Sequence, residues 1–177
     1  GLFGDDKTLT KSKGRPKVNA NKFIINEVRD IDDDGEFNLE DVAGQLKANK
    51  HNEWTPLEGE GDFRSDECVD LLKQSDIVVT NPPFSLLHEY VKQLFDYNKK
   101  FVIIINKSAV TYKEIFPLIK DNKMWSGKTK WSGGLWFVTM DVDDVDKVIN
   151  GVNTKNVASV WFTNLDHGRR HQPLPLM

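Results

Sequence analysis

The stretch Asp76-Ile77-Val78-Val79-Thr80-Asn81-Pro82-Pro83-Phe84 decides how this chain is read. Its apolar run, without polar alternation, predicts a buried parallel strand from Asp76 to Thr80. The strand feeds two consecutive prolines. Each proline holds φ at about −65° and has no N–H, and the residue before each is pushed out of the helical region. The turn is therefore stiff, and its carbonyls have no internal donor. The Asn81 side-chain oxygen and the Pro82 carbonyl can both accept from one –NH₂ group. Phe84 adds a flat apolar face on which a base stacks. Two acceptors beside a ring suit an exocyclic amine. The plainer alternative is a rigid corner that only ends a buried strand.

Downstream, Ser85 opens a helix whose residues Leu86, Leu87, Tyr90, Val91, Leu94 and Phe95 share one face. Phe101 to Ile105 is a second buried strand. Thr111 and Glu114 have capping-box spacing at the head of another helix, which Pro117 should kink or shorten. Gly134 to Met140 and Val157 to Thr163 are aromatic and β-branched, hence strands, with a short helix expected from Asp143 to Ile149. Upstream, a strand is expected from Lys22 to Val28, a helix from Val42 to Ala48, a surface loop over 50–60 and a short strand from Glu60 to Phe63. Ser65 is the N-cap of a helix that turns Cys68, Val69 and Leu72 inward.

Alternating strands and helices in the centre mean an α/β fold with a mostly parallel sheet and an antiparallel hairpin toward the C-terminus. Ligands of such sheets bind beyond the carboxyl ends of the strands. Asn81 stands at one such end and Asn106 at the next. The expected organisation is a basic arm over residues 1–20 and one α/β domain over 21–177.

The 177 residues suffice for one domain with a core. With 38% hydrophobic and 29% charged residues, composition is that of a globular chain. No apolar run is long enough to span a membrane, and the polar, basic start is no signal peptide. The lone Cys68 forms no internal disulfide, in keeping with a cytoplasmic location. A net charge of −3 argues against indiscriminate nucleic-acid binding. The cations are nonetheless concentrated at the two ends, with Lys13 and Arg15 at the start and Arg169 and Arg170 at the end.

Asp166-His167-Gly168-Arg169-Arg170-His171 follows a strong strand. Arg169, Arg170 and His171 suit phosphate contacts, and no nucleophile motif accompanies the histidines. Gly14-Arg15-Pro16 between lysines has the form of a minor-groove arm, or of an ordinary solvated loop. Lysines interleaved with Trp125, Trp131 and Trp136 suit nucleic-acid contact, and core packing explains Trp136 equally well.

Residues 30–41 match a calcium loop position by position. Asp30, Asp32 and Asp34 stand at positions 1, 3 and 5, and Gly35 at 6. Glu36 at 7 offers its backbone carbonyl, Asn38 stands at 9 and Asp41 at 12. The departures are Asp41 in place of glutamate and a strand where a helix usually precedes. The role would be structural. A hairpin with Asp-Gly at its tip is the other reading.

Four blocks carry a family resemblance: Gly61 to Cys68, Asp76 to Phe84, Thr111 to Lys120 and Trp161 to His171. Together they resemble the EcoRI-type adenine-specific DNA methyltransferases of restriction–modification systems, from about Gly61 to the C-terminus. The resemblance implies S-adenosylmethionine as methyl donor and DNA as partner, on a Rossmann-like sheet present here in part. It implies that Asn81, Pro82, Pro83 and Phe84 hold a flipped adenine, and that Asp62 and Phe63 bind the adenine ring of the donor. Asp62 and Phe63 also suit a capping acid and a core ring. The family further implies an upstream segment cradling the donor. No Gly-rich strand–turn–helix precedes Asp62, so a fragment, a cleaved piece or a naturally short homologue is expected. The alternatives are an amino-methyltransferase acting on RNA or protein glutamine, a truncated homologue that binds DNA or a partner without catalysis, and a calcium-stabilised structural domain.

Overall fold

The computed structural model describes residues 20–26, 29–31, 33–36, 39–48, 53–129 and 131–172. The chain divides into two compact units, Gly1–Val69 and Asp70–Met177. Lys13 and Arg15 lie outside the described residues.

In the first unit, β1 (Asn21–Ile24) pairs antiparallel with β2 (Glu53–Pro56), Phe23 opposite Trp54. A bond from the Leu57 amide to the Ala20 carbonyl (2.8 Å) continues the pairing. The loop expected over 50–60 thus contains a strand. Trp54 and Thr55 favour extended backbone, but only a partner about thirty residues away makes that a ladder. Helix α1 (Leu39–Ala48) starts earlier than expected. The strand expected from Glu60 to Phe63 is a turn instead, with Gly61 at φ +76° and the Ser65 amide bonded back to the Asp62 carbonyl (3.0 Å). Ser65 caps α2 (Asp66–Gln74) as predicted, its Oγ accepting from the Cys68 amide at 3.3 Å. Cys68, Val69 and Leu72 are half-buried, and Leu72 packs against the core.

The second unit is built on a four-stranded sheet. Strand β3 (Ile77–Thr80) runs parallel to β4 (Lys100–Asn106). The order is β3-β4-β9-β5, where β5 is Trp125–Ser126 and β9 is Ser159–Thr163, and β9 is antiparallel to both neighbours. Helix α3 (Leu87–Asp96) lays Leu87, Val91 and Leu94 on one sheet face, as its spacing predicted. That face presents Phe101, Ile103 and Ile105 from β4 and Val160 and Phe162 from β9, all buried. The packing is what orders β4: five large apolar side chains leave water together, each worth roughly 1.5–3 kcal/mol.

Three expectations are corrected. First, β3 is an edge strand with one face open. Ile77 is 51% and Val79 66% exposed, whereas Val78 packs on the core. Second, Thr111 caps no helix. It ends a 3-10 turn (Lys107–Thr111), its hydroxyl donating to the Ser108 carbonyl (2.8 Å), and α4 (Phe116–Lys120) begins without a side-chain cap. Pro117 sits in the first turn of α4, where its missing N–H costs nothing. Third, the helix expected from Asp143 to Ile149 is a turn followed by β7 (Lys147–Ile149). Strand β7 joins β8 (Val152–Val157) through Asn150-Gly151, both at positive φ (+50° and +80°), the geometry that a two-residue hairpin requires. With β6 (Leu135–Val138) they form a second sheet, ordered β6-β8-β7 and antiparallel throughout.

The architecture is therefore mixed α/β. Among the described residues β3–β4 is the one parallel pair, so these residues do not form the mostly parallel sheet expected. A two-residue connection leaves neighbouring strands no choice but antiparallel pairing.

Candidate functional site

The corner after β3 is built as its prolines dictate. Pro83 has φ −62° and ψ 119° and precedes a 3-10 turn over Phe84–Leu86. Contrary to the expectation that these carbonyls lack an internal donor, the Pro83 carbonyl accepts from the Leu86 amide at 3.0 Å, which ties the corner to the start of α3. Pro82 is buried, which anchors the bend. Asn81 on one side of it is exposed, and the Phe84 ring on the other is 42% exposed. Amide and ring thus both face solvent at the carboxyl end of a strand in a parallel pair.

At the neighbouring strand end Asn106 has a different task. Its Oδ1 accepts from the Ser108 amide (2.9 Å) and hydroxyl (2.8 Å), capping the 3-10 turn that follows β4. That oxygen is committed to the turn, at the strand end expected to border the ligand crevice.

Asp62 and Phe63 stand on the turn before α2, in the first unit. Both carboxylate oxygens of Asp62 are engaged by Arg64, through Nε (3.0 Å), Nη2 (2.7 Å) and the backbone amide (2.9 Å). Hydrogen bonding from Arg64 holds the carboxyl down at about 2, below its ordinary value of 3.8. The Arg64 guanidinium also lies over the Phe63 ring, 5.4 Å from its centroid. Asp62 is thus an ionised acceptor at neutral pH, with lone pairs to spare beyond three bonds. Arg64, unnoticed in the sequence, shares both members of the pair.

In the calcium-type loop, Asp30 accepts from the amides of Asp34 (3.2 Å) and Gly35 (2.7 Å), and Asp34 from that of Glu36 (2.7 Å). Gly35 has φ +82°. Asp41 is buried and accepts from the Ile31 amide (2.8 Å). Asp32 and Asn38 lie outside the described residues, and among the described residues no three acidic, histidine or cysteine side chains group so as to hold a metal ion.

The C-terminal cluster is closely knit. Arg170 lies 3.7 Å from the centroid of the Trp125 ring, bonds to Asn122 Oδ1 (2.6 Å) and reaches Asp166 at 3.4 Å. His171 bonds the same carboxylate at 2.7 Å, and chiefly this bond lowers the Asp166 carboxyl. Arg169 donates to the Lys128 carbonyl. Arg170 is thus partly committed to structure, while the exposed Arg169 keeps most of its five donors.

Two roles were invisible in the sequence. Asn164 clamps the start of β4, accepting from the Phe101 amide (2.9 Å) and donating to the Lys99 carbonyl (2.8 Å). Trp125 donates its indole N–H to the Leu165 carbonyl (3.0 Å). No helix among the described residues is long and apolar enough to cross a membrane.

Residues 5–177 match the family model described as adenine-specific methyltransferase EcoRI. Type II methyltransferase M.EcoRI of Escherichia coli is 49% identical over 125 residues, 67% of this chain and 38% of that protein. M.MgeORF184P of Mycoplasma genitalium is 41% identical over 124 residues, 66% of this chain and 38% of the relative. M.MpnI of Mycoplasma pneumoniae is 43% identical over 117 residues, 62% of this chain and 37% of the relative. The matched stretch thus spans well under half the length of each. No solved structure matches the chain.

Proposed function

The chain belongs to the family of adenine-specific methyltransferase EcoRI, and from that premise we propose that it is the catalytic portion of a DNA methyltransferase that methylates the exocyclic amino group of adenine. One observation carries the reading: the solvent-facing Asn81 and Phe84 on either side of a buried proline, at the carboxyl end of β3. The adenine, flipped out of the duplex, stacks on Phe84. Its amino group donates to Asn81 Oδ1 and the Pro82 carbonyl. Both acceptors fix the two hydrogens, so the nitrogen lone pair points along the remaining direction. S-adenosylmethionine supplies an electrophilic methyl group when bound. Transfer forms the N–C bond, breaks the S–C bond and releases one amino proton to solvent. The work of the chain is orientation.

The ionised Asp62 carboxylate and the half-buried Phe63 ring suit the adenine end of the donor, with Arg64 sharing the carboxylate. The exposed Arg169, with Arg170 and His171 beside it, supports DNA as the partner, through its phosphates; the basic stretch holding Lys13 and Arg15 would add to that grip. The parallel β3–β4 pair, with β9 antiparallel beyond it, supports part of a Rossmann-like sheet. The residue pattern of the 30–41 loop is what supports a structural calcium ion held by Asp30, Asp32, Asp34, Glu36, Asn38 and Asp41.

Calorimetry with S-adenosylhomocysteine tests the donor site, and binding separates an enzyme from a truncated homologue that only grips DNA. In the complete gene product, Asn81→Ala is expected to abolish methyl transfer to DNA while donor binding stays nearly unchanged. Retained transfer would remove Asn81 from the mechanism. Transfer to RNA or to a glutamine-containing peptide, with none to DNA, would reassign the substrate.

A further inference from the structure

Away from the Asn81 corner, two adjoining cavities in the second unit share Trp125, Ser126 and Trp131. The larger, about 690 Å³, is lined by Val110, Phe116, Ile119, Trp125, Trp131 and Phe162, with Lys113 as its charged member. The smaller, about 300 Å³, adds His167, Arg169 and Arg170. One is aromatic, the next cationic. We propose that together they hold a single unstacked nucleotide of the DNA, its base in the aromatic cavity and its phosphate in the basic one. The proposal rests on DNA being the partner and extends it to a second base-holding site.

The rings offer open surface. Trp131 meets Phe162 edge-on at 5.9 Å and is 44% exposed, and Phe116 is 54% exposed. Large apolar rings left in water beside one another mark a surface made to be covered. The larger cavity lies within the size range of small-ligand pockets. Every nucleobase has a π-face, so stacking on Trp131 and Phe116 needs no particular sequence. Trp125 plays another part. Its face is taken by Arg170, which Asn122 and Asp166 hold in place, so a ring that lines both cavities carries a cation on the side of the smaller one. Arg169 brings the donors for the phosphate. His167 donates through Nε2 to the Ser126 carbonyl (2.9 Å), and its buried Nδ1 has no partner among the described residues. A cationic recess next to apolar rings complements an anionic, flat ligand better than it does an apolar peptide, which would leave Arg169 unpaired.

The test uses the full chain, a short fluorescent single-stranded oligodeoxynucleotide and its duplex, with anisotropy and tryptophan quenching as readouts. The wild type is expected to bind the single strand with quenching. Trp131→Ala and Phe116→Ala should each weaken binding by roughly tenfold or more, and Trp131→Phe should restore most of it. Arg169→Ala should weaken binding and flatten its salt dependence by about one counterion. Because Phe116 is largely exposed, its variant keeps the test sound if Trp131→Ala fails to fold. If the wild type binds DNA and these variants bind equally well, the pocket is wrong and the DNA reading survives. If the wild type binds neither form of DNA, both fall together.

Discussion

Replacing Asn164 with alanine should destabilise the second unit more than any change to the neighbouring arginines. The amide makes two bonds to one stretch of β4, 2.9 Å to the Phe101 amide and 2.8 Å to the Lys99 carbonyl, both partly buried. Each such bond is worth about 1 kcal/mol net, and a partner left dry and unpaired costs about 1 kcal/mol more. Alanine fills neither role, so the loss is about 2–4 kcal/mol. Against a total stability of about 5–15 kcal/mol this is large, and for a unit of this size it lowers the melting temperature by about 10 °C or more. Urea titration followed by circular dichroism gives the free energy, and a thermal scan gives the shift. Arg169→Ala, five residues further on and exposed, is the control and should change stability by less than about 0.5 kcal/mol. If Asn164→Ala melted within about 2 °C of wild type, the amide would not be holding β4, and the reasoning from these two bonds would be wrong.

Three shorter predictions follow from local geometry. Gly134 has φ +70°, and a Cβ there would run into the Val157 carbonyl and to 2.6 Å of Asn156 Oδ1; Gly134→Ala should cost about 2 kcal/mol or more, whereas Gly133→Ala, with open space around it, carries only the backbone strain of about 1 kcal/mol. Arg64→Ala should return the Asp62 carboxyl from about 2 toward 3.8, read by NMR titration. Because folding depresses this group, its stabilisation is complete above the unfolded value and is lost as pH falls through about 2, so the variant should differ from wild type near neutrality and converge with it in strong acid. Added calcium should raise the melting temperature of the chain and a chelator should reverse it, with Asp30→Ala abolishing the effect; an unchanged melting temperature would leave the 30–41 loop a hairpin.

Stretches whose shape depends on covalent stereochemistry were legible in the residues themselves. Two prolines stiffen the Asn81 corner wherever it lies, Ser65 caps the next helix, and the apolar face of α3 follows from a period that the backbone imposes. The Asn150-Gly151 hairpin was legible too, but Val145, Val148 and Ile149 also fit a helical face, and the competing pattern hid it. What tertiary structure decided was partnership. Whether β3 is interior or edge, and which strand lies antiparallel beside β4, depends on residues about sixty positions away. Asn164 looks like a loop amide until β4 is placed against it across 63 and 65 positions, and Trp125 and Arg170 come to stack beside the two cavities only once β5 pairs with β9. A side chain can be read from its own sequence when its constraint is a torsion angle; when its constraint is a hydrogen bond or a ring face supplied from far along the chain, only folding brings the partner into view.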